Sequence, residues 1–214
     1  MGHNKMKTWI TSDIHISHER ISELAGRPFS DVNTMNEAII ENWNSTIASN
    51  DIVFIVGDLC LGKMDLSLPI VGQLQGSKRL IPGNHDRVHP MYRNKKEYDH
   101  YIDRYQDEAG IEVILDPQIR INIGHHRKVL VSHFPYFGDS RKEDRFVDQR
   151  PVDTGEFLVH GHVHEAWLQK GRQINVGIDA WGGMIVSTEE VAGLIDSGPK
   201  DIAGVPWELD PWKL

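Results

Sequence analysis

The chain of 214 residues carries a single cysteine, Cys60. One thiol cannot close an intrachain disulfide, so the fold has no covalent staple and the composition suits a reducing cytoplasm. No apolar run approaches membrane-spanning length, so no membrane association is expected, and the opening "MGHNKMKTWITSD" lacks the hydrophobic stretch of a secretory signal. Gly2 follows the initial Met, yet Met6 stands where N-myristoylation requires Ser or Thr. Positive charge is also short: 23 Lys and Arg against 31 Asp and Glu leave a formal charge of −8. That balance argues against a broad basic face, and no stable nucleic-acid complex is expected. It leaves room for a small anionic substrate, because divalent cations bound in one cleft outweigh the background charge locally. Repeats, linkers and low-complexity blocks are missing too, so residues 1–214 read as one domain.

Apolar residues make up 39%, enough for a substantial core. Short β-rich runs at 8–12, 51–56 and 78–81 predict strands, and the last two end in Gly followed by a polar residue, as buried parallel strands do. Between the first two, Met35, Ile39, Ile40, Trp43 and Ile47 recur at helical spacing, with Asn33 or Thr34 as the cap. The charged, tyrosine-rich stretch from Met91 to Glu108 predicts a solvated helix. Then "IEVIL", "QIRINI", "KVLVS", "EFLVH", "RQINV" and "MIVS" read as successive strands, and "TEEVAGLI" as a short helix. Residues 138–156 form a long polar loop, and about 197–214, with two prolines and two tryptophans in "GVPWELDPWKL", form an irregular strap. The class is α/β.

Five polar clusters stand just after predicted strands: "SDIH" (12–15), "GDLC" (57–60), "GNHD" (83–86), "SHFP" (132–135) and "GHVH" (161–164). Strand carboxyl ends in an α/β sheet face one crevice, so residues far apart in sequence converge there. Asp13 and His15 sit two apart, and in an extended segment their side chains leave from one face; His162 and His164 repeat the spacing. Gly57, Gly83 and Gly161 permit the tight backbone paths that bring ligands close. Each cluster alone is weak, but five at one structural position point to a metal site built from imidazole, carboxylate and amide donors.

The order D-x-H, G-D, G-N-H-D, H, G-H-x-H resembles the calcineurin-like metallophosphoesterase family, specifically its small single-domain bacterial and phage phosphoesterases, over residues 12–181. The resemblance implies a four-layer α-β-β-α sandwich of two mixed sheets flanked by helices. It also implies one divalent metal on Asp13, His15, Asp58 and His164, and a second on Asp58, Asn84, His133 and His162, with Asp58 bridging. A mixed N/O donor set without thiolate suits Mn first, with Fe, Zn, Ni or Co as alternatives. The expected reaction is phosphodiester hydrolysis by a hydroxide shared between the ions. His85, beside a ligand yet outside the ligand set, is the candidate proton donor to the leaving alcohol, with Asp86 orienting its ring.

Arg87 and His18 are candidate phosphate contacts, each with a bland alternative as a surface arginine and a helix-start histidine. His160 reads as packing behind the site, His125 and His126 as a surface hairpin turn, and His3, His89 and His100 form no constellation. Cys60 reads as a small buried residue, in a continuation "LCLGK" that departs from the acidic or polar residues many relatives carry there. Arg141, Lys142, Arg145 and Arg150 either line the cleft mouth or belong to an ordinary solvated loop, and Trp181 and the tail tryptophans either stack a base or bury a dimer contact. Small phosphodiesters, among them cyclic nucleotides including the 2′,3′ forms, are the expected substrates. A phosphomonoesterase of protein-phosphatase type, a dinucleoside polyphosphate hydrolase, a nuclease and a non-catalytic scaffold are the alternatives, and the chain is a monomer or a homodimer.

Overall fold

The structure, a computed structural model, describes residues 6–207. The first half alternates strands and helices: β1 (Thr8–Thr11), α1 (Ile21–Ala25), α2 (Val32–Thr46), β2 (Ile52–Ile55), α3 (Met64–Val71), β3 (Ser77–Leu80), α4 (Tyr98–Asp107) and β4 (Ile111–Ile114). The four strands run parallel in sequence order, Thr11 beside Ile55 and Ile55 beside Leu80. Helix α2 starts earlier than expected, because the carboxylate of Asp31 accepts the backbone N–H of both Asn33 and Thr34 and takes the cap from them. The helix expected from Met91 to Glu108 shrinks to α4, preceded by a 3-10 turn at Pro90–Tyr92 capped by the His89 ring.

The second half supplies β5 (Gln118–Ile123), β6 (His126–Ser132), β7 (Leu158–His160), β8 (Gln169–Gly171), β9 (Gln173–Asn175), β10 (Val186–Ser187), α5 (Thr188–Asp196) and β11 (Lys200–Ile202). Strand β10 crosses back to pair antiparallel with β1, while the others form a second mixed sheet ordered β11-β8-β9-β7-β6-β5. Within it β6, β7 and β9 are parallel. Two mixed sheets with helices is the expected calcineurin-like architecture. The strap begins with β11, and Val205 pairs with Trp181; positions 208–214, with Trp212, and His3 lie outside the described residues.

Alternation along β1 and β2 explains the layering. Trp9, Val53 and Ile55 pack with Met35, Ile39, Trp43 and Leu68 under the helices. Ile10, Phe54 and Val56 point the other way, into a core shared with Val129, Val131, Val159 and Ile174 of the second sheet, and α5 adds Val191 and Ala192 to it. The carboxyl ends of both parallel sets are stitched together: Ser12 bridges Gly177, Ile178 N–H donates to the Ser12 carbonyl at 3.1 Å, and Gly161 N–H donates to the His133 carbonyl at 3.0 Å.

Candidate metal centre

The turns leaving these strand ends carry an unusual backbone. Asp13 (φ 55°), His15 (53°), Asp58 (54°), His162 (73°) and His164 (50°) are all left-handed. The extended Asp-x-His and His-x-His pairs expected from spacing are therefore corrected: alternate left-handed residues coil the chain, and the side chains share a site through that coil. Such residues cost about 1–2 kcal/mol each when not glycine. The coil lets Asp13 N–H donate to the Gly57 carbonyl at 3.0 Å and His15 N–H to the Asp58 carbonyl at 3.1 Å. Close approach sets the glycines: a Cβ on Gly161 would overlap Ser12 Oγ and stand 2.5 Å from Asp13 Oδ2, and one on Gly83 would stand 2.5 Å from Asp58 Oδ1.

All seven expected donors converge. Asp58 Oδ2 lies 3.5 Å from both His15 Nε2 and His133 Nε2. Asn84 Oδ1 lies 3.2 Å from His133 Nε2 and 3.0 Å from His162 Nδ1. Asp13, His15 and His164 form one close donor group, and Asp13, Asp58 and His133 another, with the donor atoms of each within 4.8 Å of one another. Asp13 thus stands between the two groups beside Asp58. The hydrogen bonds on the far ring nitrogens leave one lone pair per histidine facing inward. His133 Nδ1–H donates to the Val56 carbonyl (2.8 Å), His164 Nδ1–H to Asp179 (2.8 Å) and His162 Nε2–H to Asp139 (3.0 Å).

The donors fit divalent cations. Asp13 Oδ1 and both ring nitrogens of His15 are buried without a hydrogen bond, a state buried polar atoms rarely keep. Burial pushes the Asp58 pKa up, but the imidazoles of His133, His85 and His15 outweigh it and hold the carboxyl below its usual range. For His164 burial pushes down, and the bond to Asp179 with the nearby Asp13 charge lifts it to about 9.

Asp139 and Asp179 were not anticipated. Asp179 accepts from Arg27 Nε (2.8 Å) and Nη2 (3.1 Å) and from Trp207 Nε1 (3.1 Å). It lies four residues past the end of β9, another parallel strand, so the strand-end rule points to it as well. Asp139 lies in the 138–156 loop, where no spacing marks it; Arg145 Nη2 donates to it at 2.6 Å, and Arg150, nearly fully buried, approaches at 3.8 Å. Arg145 and Arg150 are thereby spent on holding Asp139 rather than lining a cleft mouth, whereas Arg141 and Lys142 are exposed.

His85 is half-exposed beside the cluster, Nε2 3.9 Å from Asp58 Oδ2, with its backbone N–H on Asp58 Oδ1 at 2.9 Å. Asp86 does not take the expected place beside that ring. Its carboxylate is wholly buried and accepts the backbone N–H of Asp58 (2.8 Å), Leu59 (3.1 Å) and Gly83 (2.8 Å), tying two donor turns together. Burial, and then the Asp58 charge, raise its pKa to about 7. Arg87 is exposed with its guanidinium 5.9 Å from the Tyr101 ring of α4, which favours the surface alternative. His18 is half-buried with its ring 5.2 Å from that of His15. His160 is fully buried, Nδ1 on the Gly161 carbonyl, and Cys60 is buried in the core under the helices, both packing residues as expected. His125 and His126 sit on the β5–β6 hairpin against Asp196. Trp181 donates its indole N–H to the Asn175 carbonyl and packs, partly buried, on the inter-sheet core.

The description "Calcineurin-like phosphoesterase" belongs to the family model that matches residues 6–166. The chain is 38% identical over 200 residues to the Gene 66 protein of Mycobacterium phage L5, covering 88% of this chain and 94% of that one. It is likewise 38% identical over 206 residues to the Gene 66 protein of Mycobacterium phage D29, covering 89% and 98%. A crystal structure of a protein of unknown function from Aquifex aeolicus shares the fold at a TM-score of 0.64 and 24% identity, covering 89% of this chain and all of the other. Among the described residues no helix is long and apolar enough to cross a membrane.

Proposed function

The chain belongs to the calcineurin-like phosphoesterases, and from that premise we propose that it hydrolyses small phosphodiesters at a centre of two divalent ions. Asp13, His15 and His164 would hold one ion, Asn84, His133 and His162 the other, with Asp58 between them; manganese is the first choice, with Fe, Zn, Ni or Co as alternatives. When bound, such a pair acidifies a water and withdraws charge from the phosphate oxygens. We propose that the enzyme acts as one domain in the cytoplasm, a compartment its single thiol suits.

The observation that carries the diester reading is the placement of His85. Every imidazole in the cluster except His85 and His18 has its outer nitrogen bonded away or its ring buried, whereas the His85 side chain is 38% exposed and its ring edge faces Asp58. Its backbone N–H on Asp58 fixes the turn, so the ring is held at the rim of the donor cluster, where a departing alkoxide would need a proton. Alcohol leaving groups need that donor more than nitrophenolate does. Cyclic nucleotides, the 2′,3′ forms included, are the first natural diesters to assay.

His85→Ala is the test. The variant should retain both metals and lose about 10²–10⁴-fold in turnover on esters with alcohol leaving groups, with a much smaller loss on bis-nitrophenyl phosphate. Equal losses on both would remove His85 from the acid role. A manganese-supplemented panel of cyclic nucleotides, nitrophenyl phosphate and short single-stranded DNA separates diesterase from monoesterase and nuclease.

A further inference from the structure

Beside the metal centre lies a groove of about 920 Å³, within the size range of small-molecule sites. Two of its walls are direct continuations of donor segments. Residues 17–20 follow Asp13 and His15, and residues 61–63 follow Asp58; the Leu61 N–H on the Ile16 carbonyl (2.9 Å) keeps the two together. The remaining walls come from α2 and α3. At the inner end stands His18, its ring 5.2 Å from the His15 ring. A phosphate seated on the donor cluster therefore has this groove as its neighbour.

Most of the exposed lining surface is apolar, among polar and charged side chains. Val32, Leu61, Leu66 and Ile70 supply it, and Leu66 is 62% exposed, a large apolar side chain left open to solvent in the groove. Among the described residues no Phe, Tyr or Trp lines it, so the groove lacks the large aromatic faces on which nucleoside bases most often stack. Asn36 is spent on Ser17, its Oδ1 accepting the Ser17 N–H at 3.0 Å. Two cations, Arg20 and Lys63, against one acid, Glu19, leave the lining with one net positive charge, compatible with a monoanionic diester.

We infer that the groove receives one alcohol arm of the diester and that this arm is aliphatic. The inference rests on the phosphodiesterase reading and narrows it from nucleotides to esters of aliphatic alcohols. It also gives His18 a place, at the junction between phosphate and groove.

The experiment is a series of 4-nitrophenyl alkyl phosphates from methyl to hexyl, with a thymidine 4-nitrophenyl ester as the base-bearing comparison, assayed on the manganese-loaded enzyme. A buried methylene contributes about 0.8 kcal/mol, so kcat/KM should rise up to about fourfold per methylene until the groove is full. The thymidine ester should gain less than the butyl ester. Leu66→Asp should flatten the slope, with metal content and melting temperature reporting an intact fold and centre. A flat series, or a slope that Leu66→Asp leaves unchanged, overturns the proposal. Silence on every ester, methyl included, strikes the phosphodiesterase reading instead. Calorimetry then decides the groove separately: dibutyl phosphate must bind the manganese-loaded protein more tightly than dimethyl phosphate, and equal affinity refutes the aliphatic arm.

Discussion

Replacing Asp179 with Asn changes one charge and almost no volume, and its consequences can be worked from the structure. The Arg27 and Asp179 side chains are both wholly buried, paired at 2.8 Å. Removing one member of a buried ion pair costs about 3–5 kcal/mol, because the other is stranded without water. Asn keeps one oxygen for Arg27, and the guanidinium also donates to the carbonyls of Asp13 and Ile14, so the low end, about 3 kcal/mol, applies. An unfolding entropy of about 2.1 cal/mol/K per residue converts that loss into a melting temperature lower by roughly 7 °C for a chain of this length. Scanning calorimetry in excess chelator measures it without metal. The second consequence concerns His164, whose Nδ1–H loses its carboxylate acceptor. Manganese affinity should fall about 10–100-fold, read by titration calorimetry. A variant that melts with the wild type, or binds manganese equally well, would show that Asp179 neither neutralises Arg27 nor orients His164.

Three further outcomes are expected. Asp58→Ala should abolish binding of at least one metal, which elemental analysis of the purified variant measures directly; full retention of two ions would remove Asp58 from its place between them. Gly161→Ala should lower both metal content and melting temperature, since its methyl would overlap Ser12 Oγ and press on Asp13 Oδ2, and wild-type values in both would contradict the close approach. Asp51 accepts from Lys7 N–H, Trp9 Nε1–H and Ala48 N–H, bonds that outweigh burial and hold its pKa below the usual range. A depressed folded pKa gives stability that is present above the unfolded value, about 3.9, and lost as pH falls through the folded one. Asp51→Asn should therefore cost about 1–3 kcal/mol in urea unfolding at neutral pH, with the penalty shrinking below about pH 4; a penalty that grows on acidification would refute the assignment.

The parts of the fold legible in the sequence are those where local pattern and tertiary environment agree. β1, β2 and β3 fall within two residues of their expected ranges; β1 and β2 are largely apolar and buried on both faces, whereas β3, "SKRL", alternates buried with half-buried residues. β8, "QKG", and β11, "KDI", leave no mark in the sequence: they are short polar strands, β11 at the sheet edge and β8 next to it, that carry no alternating apolar signal. Charge and tyrosine make the 91–97 stretch look like solvated helix, but only from Tyr98 onward does the chain bury a ring, Tyr105, on the core. Asp86 was assigned by adjacency in sequence. Besides the nearby Gly83 N–H, it accepts the backbone N–H groups of Leu59 and Asp58, 27 and 28 residues away, which no local pattern encodes.

The donor spacing points to residues that converge in the structure, but through a left-handed coil and not an extended segment, and the difference bears on how the cluster is held. An extended Asp-x-His pair would be relaxed and free to spread in the absence of an ion. Five left-handed donors, each costing about 1–2 kcal/mol, persist only where other bonds over-determine them. Those bonds come from the chain: Asp86 grips the turns after β2 and β3, Asp13 Oδ2 accepts the His162 N–H at 2.9 Å, and Asp139, Asp179 and the Val56 carbonyl aim three imidazoles. Except for Asp13, itself a donor, these supports lie outside the donor set, and most reach it from a different strand. The strain is thus met by the fold and not left for the ions to overcome. Metal affinity should accordingly respond to changes in these supports as strongly as to many changes in the ligands themselves.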